Sequence, residues 1–374
     1  MEPGRERKRV LRGTHRTRAP EDTWELVRPL LRDLGISRVA DVTWLDDLGI
    51  PVFQAIHPRG RSFAVSQGKG LTRDLARVSA VMEGIEGLAA ERPPVALRSA
   101  TAVELTLDYD VGNLALPGHA GTARRARLDW CDARDLLGGG TSYVPAPVVS
   151  LDWTVHARWA PRLFPSTSDG LASGNTYAEA ALHGLLELVE RHAVAVSPGI
   201  RVDMTAPLPP DAVALARLVA AAGGVVDVWF HPHPSRLPVF SALLRDDRHP
   251  VPYGGSGCHL DPQVALCRAI TEAAQSRATV IAGSRDDLGP AVYRWRRARP
   301  LAAAPGTPDR RVSVGNVLTA ATVTASDDVA TDLHRVLGAL GPDHPHVLAT
   351  DLSVADGVHV VKVVVPTLSL PAGH

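Results

Sequence analysis

The stretch SFAVSQGKGLTRDLARVSAVMEGIEGL, residues 62 to 88, decides the fold class. Its first half is an apolar, strand-like run that closes on the glycine pair Gly68 and Gly70. Its second half carries Leu75, Val78, Met82 and Ile85 at helical spacing, which predicts a helix over residues 73 to 92. Strand, glycine turn and long helix recur in LASGNTYAEAALHGLLELVERHA (171 to 193) and in YGGSGCHLDPQVALCRAITEAAQSRA (253 to 278). The intervals recur too. Gly68 precedes Glu83 and Glu86 as Gly257 precedes Glu272 and Gln275, and Gly70 stands to that first pair as Gly174 stands to Glu187 and Glu190, a weak internal repeat.

Between these blocks lie strand-like runs at 51 to 58, 225 to 232, 238 to 245, 346 to 354 and 358 to 366, with helical patterns at 21 to 34 and 210 to 222. The class is therefore mixed α/β (α+β), with mixed sheets and long, largely buried helices. Residues 286 to 312 are rich in Pro, Arg and Gly, lack either periodicity, and read as a long loop or lid. The implied organisation is a basic tail over 1 to 20 and one domain over 21 to 374. That domain holds its core motifs at 61 to 288 and a C-terminal β segment at 313 to 374.

Of the 374 residues 45% are apolar and 21% charged, the balance of a globular chain. Forty basic residues offset forty acidic ones, so no overall field favours nucleic acid or an anionic membrane. Cys131, Cys258 and Cys267 form no CxxC pair, which argues against a disulfide framework or structural zinc and suits a reducing cytoplasm. No apolar h-region follows the basic start and no run is long enough to span a bilayer, so neither export by that route nor membrane insertion is expected.

On a helix, residues three and four apart share a face. Ser79, Glu83 and Glu86 form one polar stripe, His183, Glu187 and Glu190 a second, and Arg268, Glu272 and Gln275 a third, on helices otherwise made of Leu, Val, Ala and Ile. Helices apolar nearly all round are buried, which puts the carboxylates at the wall of a cavity. Buried carboxylates need a cation, a proton or an arginine, and only Arg191 and Arg268 stand near in sequence. An all-oxygen donor set selects a hard ion, and Mg2+ commonly arrives with substrate phosphates. The familiar phosphate loop is absent: GKG at 68 to 70 has no Ser or Thr after Lys69, and Phe63 stands where a Walker loop needs glycine. A GxSxG elbow is also missing.

Blander readings compete at each position. An ExxE pair is more often a solvated helix face, Lys69 between glycines more often a turn residue, and Cys258 and Cys267 more often small buried hydrophobes. His156, His183, His231 and His233 default to structural or surface roles, the arginine-rich start to a solvated end, and RWRRARP (294 to 300) to an exposed loop.

The ordered blocks SQGKGLT with SAVMEGIE, LASGN with ELVER, and GCHLDPQVALCRAITEAAQSR with GSRDDL resemble the YcaO family, ATP-dependent enzymes that activate backbone amides of peptides. Fainter likeness runs through RGTHRTRAPEDT (12 to 23) and RVADVTWLDDLGIPV (38 to 52), a form seen in stand-alone and TfuA-associated members. The resemblance implies a YcaO-like fold whose ATP site uses glutamates from several helices to hold Mg2+. Carried over, Glu83, Glu86, Glu187 and Glu190 resemble metal ligands and Arg191 and Arg268 phosphate contacts. Lys69, Ser79, Glu272 and Gln275 resemble other nucleotide-site positions. The chain departs from the pattern at His192 after ELVER, at Asp47, at TSDG (Thr167 to Gly170) and in a C-terminus without PxPxP.

The implied reaction is ATP- and Mg2+-dependent activation of an amide in a ribosomally made precursor peptide, giving intramolecular cyclodehydration to a thiazoline or macroamidine as in bottromycin-type pathways. Thioamidation with a TfuA-type partner is the second expectation, and a non-catalytic peptide scaffold with a decayed site, or nucleic-acid binding through the basic start, are the alternatives from other classes. Expected partners are the precursor peptide, a TfuA-type protein and a second copy of the chain, with no nucleic acid and no membrane.

Overall fold

A computed structural model describes residues 6–91, 93, 97–154, 162–247, 249–285, 311–320 and 323–368. Its strands are β1 (Arg9–Leu11), β2 (Thr14–Arg16), β3 (Arg38–Asp41), β4 (Val52–Ile56), β5 (Val65–Lys69), β6 (Leu97–Ala100), β7 (Leu128–Asp135), β8 (Thr141–Pro145), β9 (Leu171–Gly174), β10 (Ile200–Val202), β11 (Gly224–Phe230), β12 (Val239–Asp246), β13 (His249–Cys258), β14 (Arg311–Val312), β15 (Leu348–Asp351) and β16 (His359–Val364). The helices are α1 (Pro20–Val27), α2 (Arg73–Glu91), α3 (Ala120–Arg125), α4 (Ala146–Val149), α5 (Tyr177–Val196), α6 (Pro210–Ala221), α7 (Pro262–Ala282), α8 (Val314–Ala320) and α9 (Val329–Leu340).

Apart from the β1–β2 hairpin, three sheets form, in the orders β3-β4-β5, β6-β7-β15-β16-β9 with β8 beside β7, and β13-β12-β11-β10-β14. All pairings are antiparallel except β10 with β14. The strands β5, β9 and β13 that lead into α2, α5 and α7 each end their sheet. Each helix packs on the strand that precedes it and also reaches the next unit's strand: α2 lies on β5 and touches β9, α5 lies on β9 and touches β13, and α7 lies on β13 and touches β5. Three strand-and-helix units thus close a ring.

The repeated glycines explain how the helices come so close. A Cβ on Gly68 would run into the backbone of Ala76 and Ala80, and one on Gly257 into that of Ala265 and Ala269, the same intervals in both units. Gly70 meets the N–H of Ala76 as Gly174 meets that of Ala180. Small residues on the facing stripes, Ala76 and Ala80 of α2, Ala180 of α5, and Ala265, Ala269 and Ala273 of α7, are buried completely and complete the fit.

Several expectations change. The key glycines Gly68, Gly174 and Gly257 sit inside strands, not in turns. The described part of the basic start is not a solvated end: Lys8 is buried against Asp332 and β1 pairs with β2. Pairing satisfies the charge that composition alone left exposed. The helix expected over 21 to 34 stops at Val27, where Pro29 follows and a 3-10 turn (Arg28–Leu30) takes over. Of the proposed lid, 286 to 310 lies outside the described residues, and Arg311–Val312 is a strand. The C-terminal segment carries α8 and α9 as well as two strands, because Leu333, Val336, Leu337 and Leu340 build a buried helical stripe. His156 and RWRRARP also fall outside the described residues.

Candidate functional site

The ring encloses a cavity of about 840 Å³, and every residue singled out from sequence lines it: Lys69, Ser79, Glu83, Glu86, Glu187, Glu190, Arg191, Arg268, Glu272 and Gln275. The helical stripes put them there, since each helix turns its polar edge to the ring's centre and its apolar edges to the sheets.

Hydrogen bonds run round the ring as the packing does. Glu86 of α2 accepts from the Ser173 N–H (2.7 Å) and hydroxyl (2.6 Å) on β9. Glu190 of α5 accepts from the Ser256 hydroxyl (2.5 Å) on β13, and Glu272 of α7 pairs with Lys69 (2.7 Å) at the end of β5. Backbone donors steady two more carboxylates, Gln67 N–H to Glu83 (3.3 Å) and Gly170 N–H to Glu187 (3.2 Å). Edge strands suit this task, having outward N–H groups that no neighbouring strand takes.

Burial raises all four candidate ligands above the usual carboxylate range. Glu86 is pushed up to about 8 by burial and then by the Glu83 and Glu187 charges, against the pull of Ser173. Glu83 rises through burial although Lys69 lowers it. In Glu187 burial again outweighs Arg191, and in Glu190 burial is reinforced by Glu272. Such a set takes up protons or a cation.

Among the described residues no three His, Cys, Asp or Glu side chains stand close enough together to hold an ion unaided. The donors nevertheless fit Mg2+, which uses one or two protein carboxylates and leaves its other positions to phosphate and water. Arg191 is held between Glu187 (2.8 Å) and Asp169 (3.0 Å). Arg268 makes no ion pair or side-chain hydrogen bond among the described residues, and burial lowers its pKa, so an anion in the cavity would meet an uncommitted guanidinium.

The sequence reading missed the other basic wall. β2 carries Arg16 into the cavity, where its guanidinium donates to His183 Nε2 (2.6 Å) and lies 3.7 Å from Glu179. That bond fixes His183 as neutral with its proton on Nδ1, facing the Ser173 carbonyl (3.4 Å), and burial depresses its pKa well below normal. Glu179 accepts in addition from the Thr17 N–H (2.9 Å) and hydroxyl (2.6 Å), and Asn175 donates to it (3.1 Å) while receiving Thr23 (2.8 Å). The only signal was RGTHRTR, which reads as a charged end until the hairpin is known. Asp169 lay unremarked within TSDG.

Among the described residues, the other histidines and the cysteines weighed from sequence lie away from the cavity. His231 bridges the Ser197 carbonyl (3.1 Å) and the Ser241 hydroxyl (2.8 Å), and His233 joins Ser235 (2.7 Å) to His192 (3.1 Å). All three cysteines are free and buried, with thiols pushed up to about 11 at Cys131, to about 12 at Cys267, and well above the ordinary value at Cys258. Thiolate chemistry is disfavoured at each. Among the described residues no helix is long and apolar enough to cross a membrane.

Comparison with known proteins gives the chain its relatives. The chain is 43% identical over 311 residues to an uncharacterised protein of Mycobacterium tuberculosis, covering 78% of this chain and 68% of that one. It is 39% identical over 304 residues to an uncharacterised protein in the tfuA 3′ region of Rhizobium leguminosarum bv. trifolii, covering 73% and 69%. The fold matches that of YcaO from Methanopyrus kandleri bound with AMPPCP and Mg2+, with a TM-score of 0.75, 24% identity, and 97% and 94% of the two chains covered. Residues 67–369 match the family described as YcaO cyclodehydratase, ATP- and Mg2+-binding, and the chain belongs to that family.

Proposed function

We propose that this protein uses ATP and Mg2+ to activate a backbone amide of a peptide, so that a nucleophile replaces the amide oxygen. The single observation that carries the reading is the ring of four pKa-raised glutamates beside Arg191, Arg268 and Arg16 in one cavity. Bound there, Mg2+ and ATP would supply what an amide oxygen lacks, conversion into a phosphate leaving group. Glu83 and Glu86 from α2 and Glu187 and Glu190 from α5 are the metal-holding side chains in this account. Arg268 and Arg191 meet phosphate charge, and Asp169 keeps Arg191 aimed. Ser79, Lys69, Glu272 and Gln275 line the rest of the nucleotide's bed. The protein's own contribution is to position the reactants and neutralise charge.

Intramolecular cyclodehydration, to a thiazoline or a macroamidine, is the first reading of the product. The position of the Rhizobium relative in a tfuA region favours a second, thioamidation with a TfuA-type partner. Incubating the enzyme with ATP, Mg2+ and candidate precursor peptides, with and without sulfide and a TfuA-type protein, separates them by mass. Loss of about 18 Da marks cyclodehydration, gain of about 16 Da marks oxygen-to-sulfur exchange, and ADP formation without any peptide change contradicts both.

A further inference from the structure

Whichever nucleophile attacks, it must lose a proton, and the carboxylates that hold metal are not free to take it. Among the described residues two histidines line the cavity, His57 and His183. His183 has both ring nitrogens engaged, its Nε2 lone pair by the Arg16 guanidinium, so it cannot receive a proton. His57, one residue past β4, differs. It is 1% exposed, and its Nε2 lies 3.0 Å from the hydroxyl of Ser66 on β5, which lines the same cavity. On the opposite edge of the ring the turn after His57 folds back so closely that a Cβ on Gly60 would lie 2.7 Å from Nδ1, and Nδ1 has no hydrogen-bond partner. Among the described residues the hydrogen bond to Ser66 is therefore the imidazole's one polar link toward the cavity.

We propose that Ser66 and His57 form the proton relay that deprotonates the attacking nucleophile. As the nucleophile's proton passes to Ser66 Oγ, the Ser66 hydroxyl proton passes to His57 Nε2. The nucleophile keeps its electron pair for the amide carbon, and the ring becomes imidazolium. Reversal of the relay returns the proton to the phosphate that leaves with the amide oxygen. Glu91 of α2, held by the Ser62 N–H (2.8 Å) and hydroxyl (2.8 Å), supplies the negative charge that favours the imidazolium. Burial acts the other way and lowers the ring's pKa, keeping it neutral and ready to accept at pH 7. Also near this wall are Arg61, paired with Asp152, and Arg285, whose guanidinium lies over the Phe63 ring (4.7 Å). Ser66 thus touches the nucleophile and is the catalytic residue, while His57 acts through it.

The inference rests on the amide-activation reading, and the two fail differently. Without peptide modification by the unaltered enzyme the reading itself falls, whereas the relay is tested on an enzyme that works. His57→Gln and Ser66→Ala are compared with the parent for Mg2+-dependent stabilisation by ATP and for kcat/KM from pH 5.5 to 9. Each variant should retain the stabilisation and lose about 100-fold in rate at pH 7. That deficit should shrink as pH approaches the nucleophile's own pKa, because an ionised nucleophile needs no base. The relay is overturned if Ser66→Ala, the smaller change, keeps its rate within threefold, or if either folded variant shows a deficit independent of pH. Should His57→Gln not fold, Ser66→Ala alone decides.

Discussion

Glu86 is held by two donors from Ser173 and still has its carboxyl pushed up to about 8, because burial and the neighbouring charges of Glu83 and Glu187 outweigh them. A group whose folded pKa lies above its unfolded value of about 4.3 holds an extra proton in the folded state between those two pH values. Glu86's contribution to the stability of the ligand-free protein therefore falls as pH rises from about 4.3 to 8, its carboxyl binding fewer protons in the unfolded chain throughout that window. A divalent ion must displace the same proton. Binding of Mg2+ with ATP at pH 7 should release protons, read by calorimetry in two buffers of different ionisation heat, and a binding heat independent of buffer would contradict the protonated resting state.

At the scale of the element, the strand glycines carry the architecture. Gly68→Ala would drive a methyl into the backbone of Ala76 and Ala80, and neither can move without shifting α2, so about 3 kcal/mol or more of destabilisation is expected. Gly338→Ala on α9, where a Cβ meets nothing, should stabilise by up to about 1 kcal/mol. Urea unfolding of the pair checks both signs, and equal effects would mean that the glycines serve only as flexible links. The helices and their polar stripes were legible in sequence because the 3.6-residue period records which face is buried. The glycines were legible as a repeated interval but not as a cause, since a turn and a close approach leave the same letter.

For the whole molecule, what the sequence hid is tertiary. Lys8, at 9% exposure, pairs with Asp332, which is fully buried at the start of α9, and through that pair the segment leading into the hairpin is fixed so that Arg16 enters the cavity. No local pattern announces a partner 324 residues away. Lys8→Met leaves the Asp332 carboxylate uncompensated and should cost about 3–5 kcal/mol, with a loss of ATP-dependent stabilisation as the hairpin loosens. A thermal shift no larger than that of an exposed-site control would show that the N-terminal hairpin is held by other contacts. Glu179 was overlooked for the same reason, because it acts on an arginine from a distant part of the chain, whereas Asp169 reaches Arg191 across the nearby turn that precedes β9.

The claim on which the rest depends is that carboxylates from two helices of the ring hold Mg2+ against ATP, and Glu187→Gln and Glu190→Gln test it most directly, each removing a charge at nearly constant volume. Both variants should melt within a few degrees of the parent without ligand. Each should lose most of the stabilisation, about 2.7 kcal/mol at a hundredfold excess over Kd, that ATP with Mg2+ gives the parent, and should show ATP turnover reduced by at least about 100-fold. Near-normal turnover by both variants at saturating Mg2+ would contradict the account.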